Sequence, residues 1–367
     1  MTHDPVSFRL RAVGDLQLGD SATCVGFGFR SRVSELALRA AFHQLSTDIG
    51  PTDIMFANLE TPLSDVGLDV RRPRSRRLRG TPDYAKALRS GGISVVNVAN
   101  NHALEHGATA FADSVATLER AGVVVCGLRG TDGWAAAPVI VPVRGLRVGF
   151  LGYSLRPSPT DTDERLHAEP RDDELLADVR RLRAETDHVI VSLHWGEEFV
   201  EEPSAPEVSL AHAIVDAGAS AVLGHHPHVA RPVERYGNAV IAYSLGNFAA
   251  DMIWYPPNRR GLVLDCDIGA GGAQGVRLHA VRVEGSYLPR VQRGETIVPA
   301  EFVRGLPPDE YVRRARNTVQ AQRRSLYFYT IRNVWRFSPS ALVSLAATTL
   351  RGKVASRLGG SRDEIWG

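Results

Sequence analysis

Ala221-Val222-Leu223-Gly224-His225-His226-Pro227-His228-Val229 is a short apolar run followed by three histidines within four positions. The run is typical of a buried strand, and open α/β folds bind ligands at the carboxyl ends of their strands. Three imidazoles this close would repel one another if all were charged. The pattern therefore favours neutral histidines that act as metal ligands or as acid/base groups. The alternative interpretation is a solvated surface loop.

Four other predicted strands also end in polar side chains. The apolar runs at 8–13, 53–57, 93–99 and 188–193 are followed, in that order, by Asp15, Glu60, the pair Asn101-His102, and His194. Each residue alone has an ordinary explanation, since a carboxylate or amide can cap a helix and a histidine can pack in a core. Their joint position after apolar strands instead predicts one polar cleft at the edge of a sheet.

The order of the predicted elements indicates an α/β fold. Strands alternate with helices through most of the chain, which predicts a largely parallel sheet. A later run of strands, to about residue 291, predicts a second, antiparallel layer. We therefore expect a four-layer α/β/β/α sandwich. Residues 1–300 would form the catalytic domain, and residues 301–367 a C-terminal helical extension that packs on it.

Two segments lie outside these motifs. Residues 71–79 carry six arginines around Pro73, which predicts a loop rather than a helix. Aromatic residues at 327–329 and 335–337 lie in the helical extension, where they either pack against the domain or line a substrate groove.

Composition excludes several classes of protein. The 367 residues are 44% hydrophobic and 23% charged, with a formal net charge of +2, which argues against a nucleic-acid partner. Cys24, Cys126 and Cys266 match no metal or redox spacing. The sequence shows no secretory signal and no apolar stretch of membrane-spanning length, so we expect a cytoplasmic protein without a membrane partner.

Together the motifs resemble the capsule-synthesis (CapA, poly-γ-glutamate) branch of the calcineurin-like metallophosphatases. They are Gly14-Asp15, Asn58-Leu59-Glu60, Asn101-His102, His194-Trp195-Gly196, His226-Pro227-His228 and Ser244-Leu245-Gly246-Asn247-Phe248. The resemblance spans roughly residues 8–255 and implies the α/β/β/α fold with metals bound in a cleft at the strand ends.

The resemblance also implies a role for each matched residue. One metal position would be faced by Asp15 and His228, and the other by Asn101, His194 and His226. Glu60 would bridge the two positions, because one carboxylate can neutralise two adjacent cations. His102 would act as the acid that protonates a leaving group.

Gln17 stands where the family pattern has a histidine, which weakens the first position as a transition-metal site. If that position is empty, Asp15 is left beside His228 as an acid/base pair. The expected cofactor is a divalent metal ion, with Ca²⁺ favoured for a single remaining site and Mn²⁺ or Zn²⁺ as alternatives.

Within the family, the chain looks most similar to the peptide epimerases of lasso-peptide biosynthesis. That similarity implies inversion of an α-carbon, with a C-terminal tryptophan as the expected residue, in a ribosomal precursor peptide. His102 and His228 would carry the protons, oriented by Asp15 and by a second acid, Asp65 or Asp251. The alternatives are metal-dependent hydrolysis of a phosphoester or γ-glutamyl amide bond, and a non-enzymatic scaffold.

Candidate substrate contacts come from the arginine segment and from the cleft motifs. Arg74, Arg76 and Arg77 could hold the C-terminal carboxylate of a peptide, although a solvated loop is the competing interpretation. Trp195 is the candidate for contact with an apolar substrate residue. The expected partners are the precursor peptide and a leader-peptide-binding protein.

Overall fold

A computed structural model describes residues 6–158, 165–336 and 339. The first of its two sheets contains β1 (Ser7–Leu16), β2 (Ile54–Leu59), β3 (Val95–Asn97), β4 (Val124–Cys126), β11 (Asn247–Ala249), β12 (Arg260–Gly269), β13 (Gly272–Val283) and β14 (Pro289–Ile297). The spatial order is β14-β13-β12-β1-β2-β3-β4, and β11 pairs with the end of β1. The strands from β1 to β4 are parallel, whereas β12, β13 and β14 are antiparallel.

The second sheet is also mixed. It contains β5 (Val139–Val143), β6 (Leu146–Ser154), β7 (His188–His194), β8 (Ala221–His225), β9 (Val233–Tyr236) and β10 (Ala239–Ala242), in the order β5-β6-β7-β8-β10-β9. The strands β6, β7, β8 and β10 are parallel, and an antiparallel strand closes each edge.

The helices within the described residues are α1 (Phe29–Arg32), α2 (Glu35–Ile49), α3 (Pro73–Arg76), α4 (Tyr84–Ser90), α5 (Gly107–Arg120), α6 (Asp172–Glu185), α7 (Ala205–Asp216) and α8 (Pro308–Asn333). Short 3-10 turns span Pro256–Arg259 and Val334–Arg336. Ser34 caps α2, because its side chain accepts the Ala37 N–H, and this cap separates α2 from α1. Residues 29–49 therefore form two helices, α1 and α2.

Apolar side chains fill three layers between these elements. The rings of Phe56 and Phe150 stack with centroids 6.0 Å apart in the core between the two sheets. The helices α2, α4 and α5 contribute Phe42, Leu88 and Leu118 to the core on the outer face of the first sheet. The helices α6 and α7 cover the second sheet in the same way. The four-layer α/β/β/α fold predicted from the sequence is confirmed.

Two details of the prediction are wrong. The late strands β12, β13 and β14 extend the first sheet beyond β1 instead of forming a separate antiparallel layer. The arginine segment contains a short helix, α3, with Pro73 at its first position. Proline is tolerated there because the first N–H groups of a helix have no intrahelical acceptor.

The C-terminal helix α8 packs on the loops that follow the strands. Leu326 lies in a small apolar cluster with Cys24, Phe199 and Trp254, while Trp335 is exposed. Phe337 and the residues from 340 onward lie outside the described part of the chain. No helix within the described residues is both long and apolar enough to cross a bilayer. The domain boundary at residue 300 stays a prediction.

Candidate metal centre

The parallel strands of both sheets deliver their last residues to one buried pocket. Asp15 and Glu60 come from the ends of β1 and β2, and His194 from the end of β7. The loop after β8 adds His226 and His228. All five side chains are at most 2% exposed. The strand-end residues therefore converge as the sequence predicted, and they do so in the interior.

The histidine loop has an unusual backbone. His226 has φ +93° and His228 has φ +57°, a region that non-glycine residues occupy at a cost of about 1–3 kcal/mol each. Two hydrogen bonds hold the loop in place. The His226 N–H donates to Asp15 Oδ2 at 3.2 Å, and the Phe199 N–H donates to Pro227 O at 2.8 Å. The fold thus sets the positions of both histidine rings.

The Asp15 carboxylate is surrounded by hydrogen-bonding partners. Asn58 Nδ2 donates to its Oδ1 at 2.9 Å, and His225 Nδ1 lies 3.1 Å from the same oxygen. Burial alone would raise the pKa of Asp15, but the hydrogen bond from His225 and the electrostatic interaction with that ring lower it to about 2. Asp15 is therefore a stable buried carboxylate.

Glu60 has the opposite surroundings. Neither of its carboxylate oxygens makes a hydrogen bond within the described residues, although His228 Nε2 lies 3.4 Å and His194 Nε2 lies 3.7 Å from Oε1. Burial, followed by the charges of Asp15 and Glu198, raises the pKa of Glu60 well above its usual value. A cation beside Glu60 would remove this penalty.

The imidazoles next to Glu60 are suited to binding a metal. Burial is the largest cause that lowers the pKa values of His194 and His226 well below normal, so both rings are neutral donors. Neither ring nitrogen of His226 makes a hydrogen bond in the described structure, whereas His194 Nε2 lies 2.8 Å from Asn101 Oδ1. Buried polar atoms are rarely left without partners.

Two of the groups of residues that could hold a divalent ion overlap at Glu60. Donor atoms of Glu60, His194 and His226 lie within 4.8 Å of one another, and so do those of Asp15, Glu60 and His228. Glu60 belongs to both groups. The allocation of residues implied by the family resemblance therefore agrees with the distances, and the orphaned atoms of Glu60 and His226 fit a metal ion.

His102 is buried next to Asn101 and is 5% exposed. Its Nδ1 lies 3.5 Å from Glu105 Oε2, and Arg77 donates to Glu105 Oε1 at 2.5 Å. Burial would raise the pKa of Glu105, but His102 and Arg77 lower it to about 2. Glu105 is therefore an ionised partner for the His102 ring.

Several residues of the centre were missed by the sequence analysis, although signals for them exist. Asn58 and Asn247 belong to the quoted motifs, and His225 is the first histidine of the triplet. Asn247 Oδ1 lies 3.0 Å from His228 Nδ1 and orients that ring. Glu105 stands three residues after His102, a spacing that brings side chains together on a helical turn.

The two acids expected to orient the histidines lie elsewhere. Asp65 is a half-exposed side chain paired with Arg30 at 2.6 Å. Asp251 is buried and accepts the Ser21 N–H at 2.9 Å and the Phe29 N–H at 3.2 Å. The predicted orienting role of these two residues is wrong, because Glu105 and Asn247 occupy the positions beside the rings.

The candidate substrate contacts, Trp195 and the three arginines, lie in different environments. Trp195 is 1% exposed, its Nε1–H donates to Tyr243 O at 3.1 Å, and the two rings stack, so its predicted substrate contact is wrong. Arg77 reaches Glu105, Arg76 donates to Ser31 Oγ at 3.1 Å, and Arg74 is exposed.

Gln17 is 3% exposed, and its Oε1 makes no hydrogen bond within the described residues. Its backbone N–H donates to Ala249 O at 2.9 Å, which ties the end of β1 to β11. An amide oxygen is therefore free at the position where the family pattern has an imidazole.

The chain is similar to bacterial capsule-synthesis proteins. The family model for the bacterial capsule synthesis protein PGA_cap matches residues 9–252. The capsule biosynthesis protein CapA of Bacillus anthracis is 29% identical over 251 residues, which cover 66% of this chain and 59% of that protein. A "Probable polyglutamine synthesis accessory protein" of Mycobacterium tuberculosis is 33% identical over 216 residues, covering 54% of this chain and 56% of that protein.

The match therefore spans little more than half the length of these relatives. Among solved structures, a putative 5'-nucleotidase from Staphylococcus aureus aligns with a TM-score of 0.43 and 14% identity, covering 86% of this chain and 58% of that one.

Proposed function

Because this chain belongs to the bacterial capsule synthesis protein PGA_cap family, we propose that it is a metal-dependent hydrolase of an amide bond of the γ-glutamyl type or of a phosphoester bond. One observation supports this proposal above the others. Both oxygens of the buried Glu60 carboxylate lack hydrogen-bond partners in the described structure. Its Oε1 nevertheless lies within 3.7 Å of a ring nitrogen of His194, on β7, and of His228, on the loop after β8. A bound cation would stabilise a buried carboxylate that has no hydrogen-bond partner.

The proposed metal ligands are the residues whose donor atoms already lie together: Asp15, Glu60, Asn101, His194, His226 and His228. Three imidazoles among the donors favour Mn²⁺ or Zn²⁺ over Ca²⁺, which prefers oxygen ligands throughout. When bound, such an ion polarises the scissile group and lowers the pKa of water. Glu60 contributes to both candidate positions and would place two ions side by side.

Residues of the chain itself would protonate the leaving group. His102 follows Asn101, whose Oδ1 lies 2.8 Å from His194 Nε2, and its proton would go to the departing amine or alcohol. Glu105 accepts from Arg77 and lies beside Nδ1 of His102. It would stabilise the imidazolium and keep Nε2 directed at the substrate.

Metal titration with substrate panels tests the proposal. Protein stripped with a chelator is reloaded with Mn²⁺, Zn²⁺ or Ca²⁺ and assayed on γ-glutamyl amides and on aryl phosphoesters. We expect turnover with Mn²⁺ or Zn²⁺, and a loss of about 10²–10⁴-fold in His102→Gln. His43→Gln, an exposed histidine on α2, is the matched control and should retain full activity. Metal-independent or absent turnover on both panels would refute the hydrolase.

A second candidate is peptide epimerisation, with a ribosomal lasso-peptide precursor and its leader-peptide-binding protein as partners. Two imidazoles each face a carboxylate: His228 Nδ1 lies 3.5 Å from Asp15 Oδ2, and His102 Nδ1 lies 3.5 Å from Glu105 Oε2. Inversion needs one base and one conjugate acid on opposite faces of the α-carbon. These two pairs are the candidates for those roles.

Solvent exchange separates the two candidates. An epimerase incubated with precursor peptide in D₂O introduces one deuterium at the inverted α-carbon and leaves every peptide bond intact. A hydrolase releases a new amine or phosphate without such labelling. Mass spectrometry of the same reaction mixture reads both outcomes.

A further inference from the structure

We propose that Glu198 is an additional carboxylate ligand of the metal centre, supplied by the turn at 196–200 after β7. The inference rests on the metal site of the proposed function and adds a ligand to it. A carboxylate oxygen of Glu198 and ring nitrogens of His226 and His228 all lie within 4.8 Å of one another. No hydrogen bond or ion pair engages the Glu198 carboxylate in the described part of the chain.

No direct contact joins the Glu198 carboxylate to either imidazole, although the three donor atoms lie within 4.8 Å of one another. Two ligands of one tetrahedral transition metal, each at about 2.0–2.2 Å, lie about 3.3–3.6 Å apart, so a bound ion would draw the Glu198 carboxylate toward the rings. The ring of His226 has two unpaired buried nitrogens, so the group contains a donor without a partner as well as a free carboxylate.

The turn that carries Glu198 is held firmly on the histidine loop. Phe199 has φ +65°, and its N–H donates to Pro227 O at 2.8 Å. Arg231 Nε donates to Val200 O at 2.7 Å and its Nη2 donates to Glu197 O at 3.2 Å. These bonds place the turn and the histidine loop as one unit.

Gly196 allows the chain to make this turn. Its φ is +77°, and a Cβ there would lie 2.4 Å from Glu207 Oε1 and 2.7 Å from Arg231 Nη1. Any other residue would push away the Arg231–Glu207 ion pair that supports the turn. Glycine at position 196 thus lets the turn form beside the Arg231–Glu207 pair, and Glu198 lies within that turn.

Charge gives a reason for an additional carboxylate. Asp15 and Glu60 together supply two negative charges, and Gln17 supplies none at a position where the family pattern has an imidazole ligand. Two divalent ions would leave an excess of positive charge in a buried pocket, which is costly. The Glu198 carboxylate would reduce this excess without requiring another fully buried charge, because Glu198 is only partly buried.

The neighbouring Glu197 offers a matched control. Its side chain is 45% exposed and pairs with Arg156 Nη1 at 2.8 Å. Glu197 and Glu198 thus carry the same charge on the same turn, but only Glu198 belongs to a group of metal-binding geometry.

Calorimetric titration of chelator-stripped protein with Mn²⁺ and with Zn²⁺ tests the inference without reference to turnover. We expect wild type and Glu197→Gln to bind with the same affinity, and Glu198→Gln to bind at least about 10-fold more weakly. Glu198→Asp should recover part of the loss. Circular dichroism confirms that each variant is folded, and elemental analysis counts the ions per chain.

Each result has a distinct meaning. Equal binding by wild type and Glu198→Gln would overturn the role of Glu198 and leave the proposed hydrolase standing. Equal weakening in both glutamine variants would also overturn it, because the effect would then be one of net charge. No binding of Mn²⁺ or Zn²⁺ by wild type would refute the metal centre of the proposed function, and the inference with it.

Discussion

The two carboxylates at the centre of the pocket, Asp15 and Glu60, are equally buried but differ in every other respect. Asp15 has Asn58, His225 and the His226 N–H as partners, and its pKa falls to about 2. Glu60 has no hydrogen-bond partner within the described residues, and its pKa rises. Burial alone therefore does not decide the state of a carboxyl group. Asp15 is thus held by the surrounding structure, while the unpaired oxygens of Glu60 carry the proposed metal site.

Asp15→Asn should disrupt the hydrogen bonds around Asp15 and destabilise the fold. An asparagine presents an N–H₂ group to donors that now meet a carboxylate oxygen, so we expect the free energy of unfolding of the metal-free protein to fall by about 3–5 kcal/mol. Chemical denaturation at neutral pH measures it. Asp65→Asn, which removes only a surface pair with Arg30, should change stability by less than about 1 kcal/mol. A similar loss of stability in both variants would contradict the structural role of Asp15.

Glu60→Gln should have the opposite effect on the metal-free protein. The unpaired carboxylate disappears, so the free energy of unfolding at pH 8 should rise by about 1–3 kcal/mol. The affinity for Mn²⁺ should fall at least about 100-fold, because a shared ligand is lost. Denaturation without metal and calorimetry with metal measure the two effects. A variant that is destabilised and still binds Mn²⁺ tightly would show that Glu60 is an ordinary structural residue.

Asp251 is a third buried carboxyl group, and it lies outside the candidate metal-binding groups. Burial and then the charge of Asp20 raise its pKa from 3.8 to about 7. Because the folded chain holds this proton more tightly than the unfolded chain, the resulting stability is complete below about pH 4 and is lost as the pH rises through about 7. The stability of wild type relative to Asp251→Asn should therefore decline between pH 5 and pH 8. A difference independent of pH would contradict the raised pKa.

Much of the centre was predictable because parallel strands end at a common edge. Apolar runs located the strands, and the polar residues after them, from Asp15 to His228, were expected to meet. They do meet, although they come from both sheets: β1 and β2 belong to the first sheet, and β7 and β8 to the second. The order of strands in the sheets was not predictable, since β12 pairs with β1 across more than 240 residues of sequence.

Trp195 illustrates why local patterns fail for individual side chains. It follows His194 directly, and consecutive residues of an extended chain point to opposite sides. With His194 in the pocket, Trp195 is placed against Tyr243 in the core on the outer face of the second sheet. The motif contains both residues, and only the direction in which each side chain points distinguishes the candidate ligand His194 from the core residue Trp195.

The linear order of residues was enough to establish the layered α/β class and the set of side chains at the strand ends, because both depend on local apolar runs and on the polarity of strands. The partners of those side chains depend on contacts between distant segments. Asn247 beside His228, Asp15 beside His225 and the unpaired oxygens of Glu60 arise only when two sheets pack face to face. Hydrogen bonding and desolvation act through space, so only the three-dimensional fold decides that one carboxylate is fully hydrogen-bonded and the other has no partner.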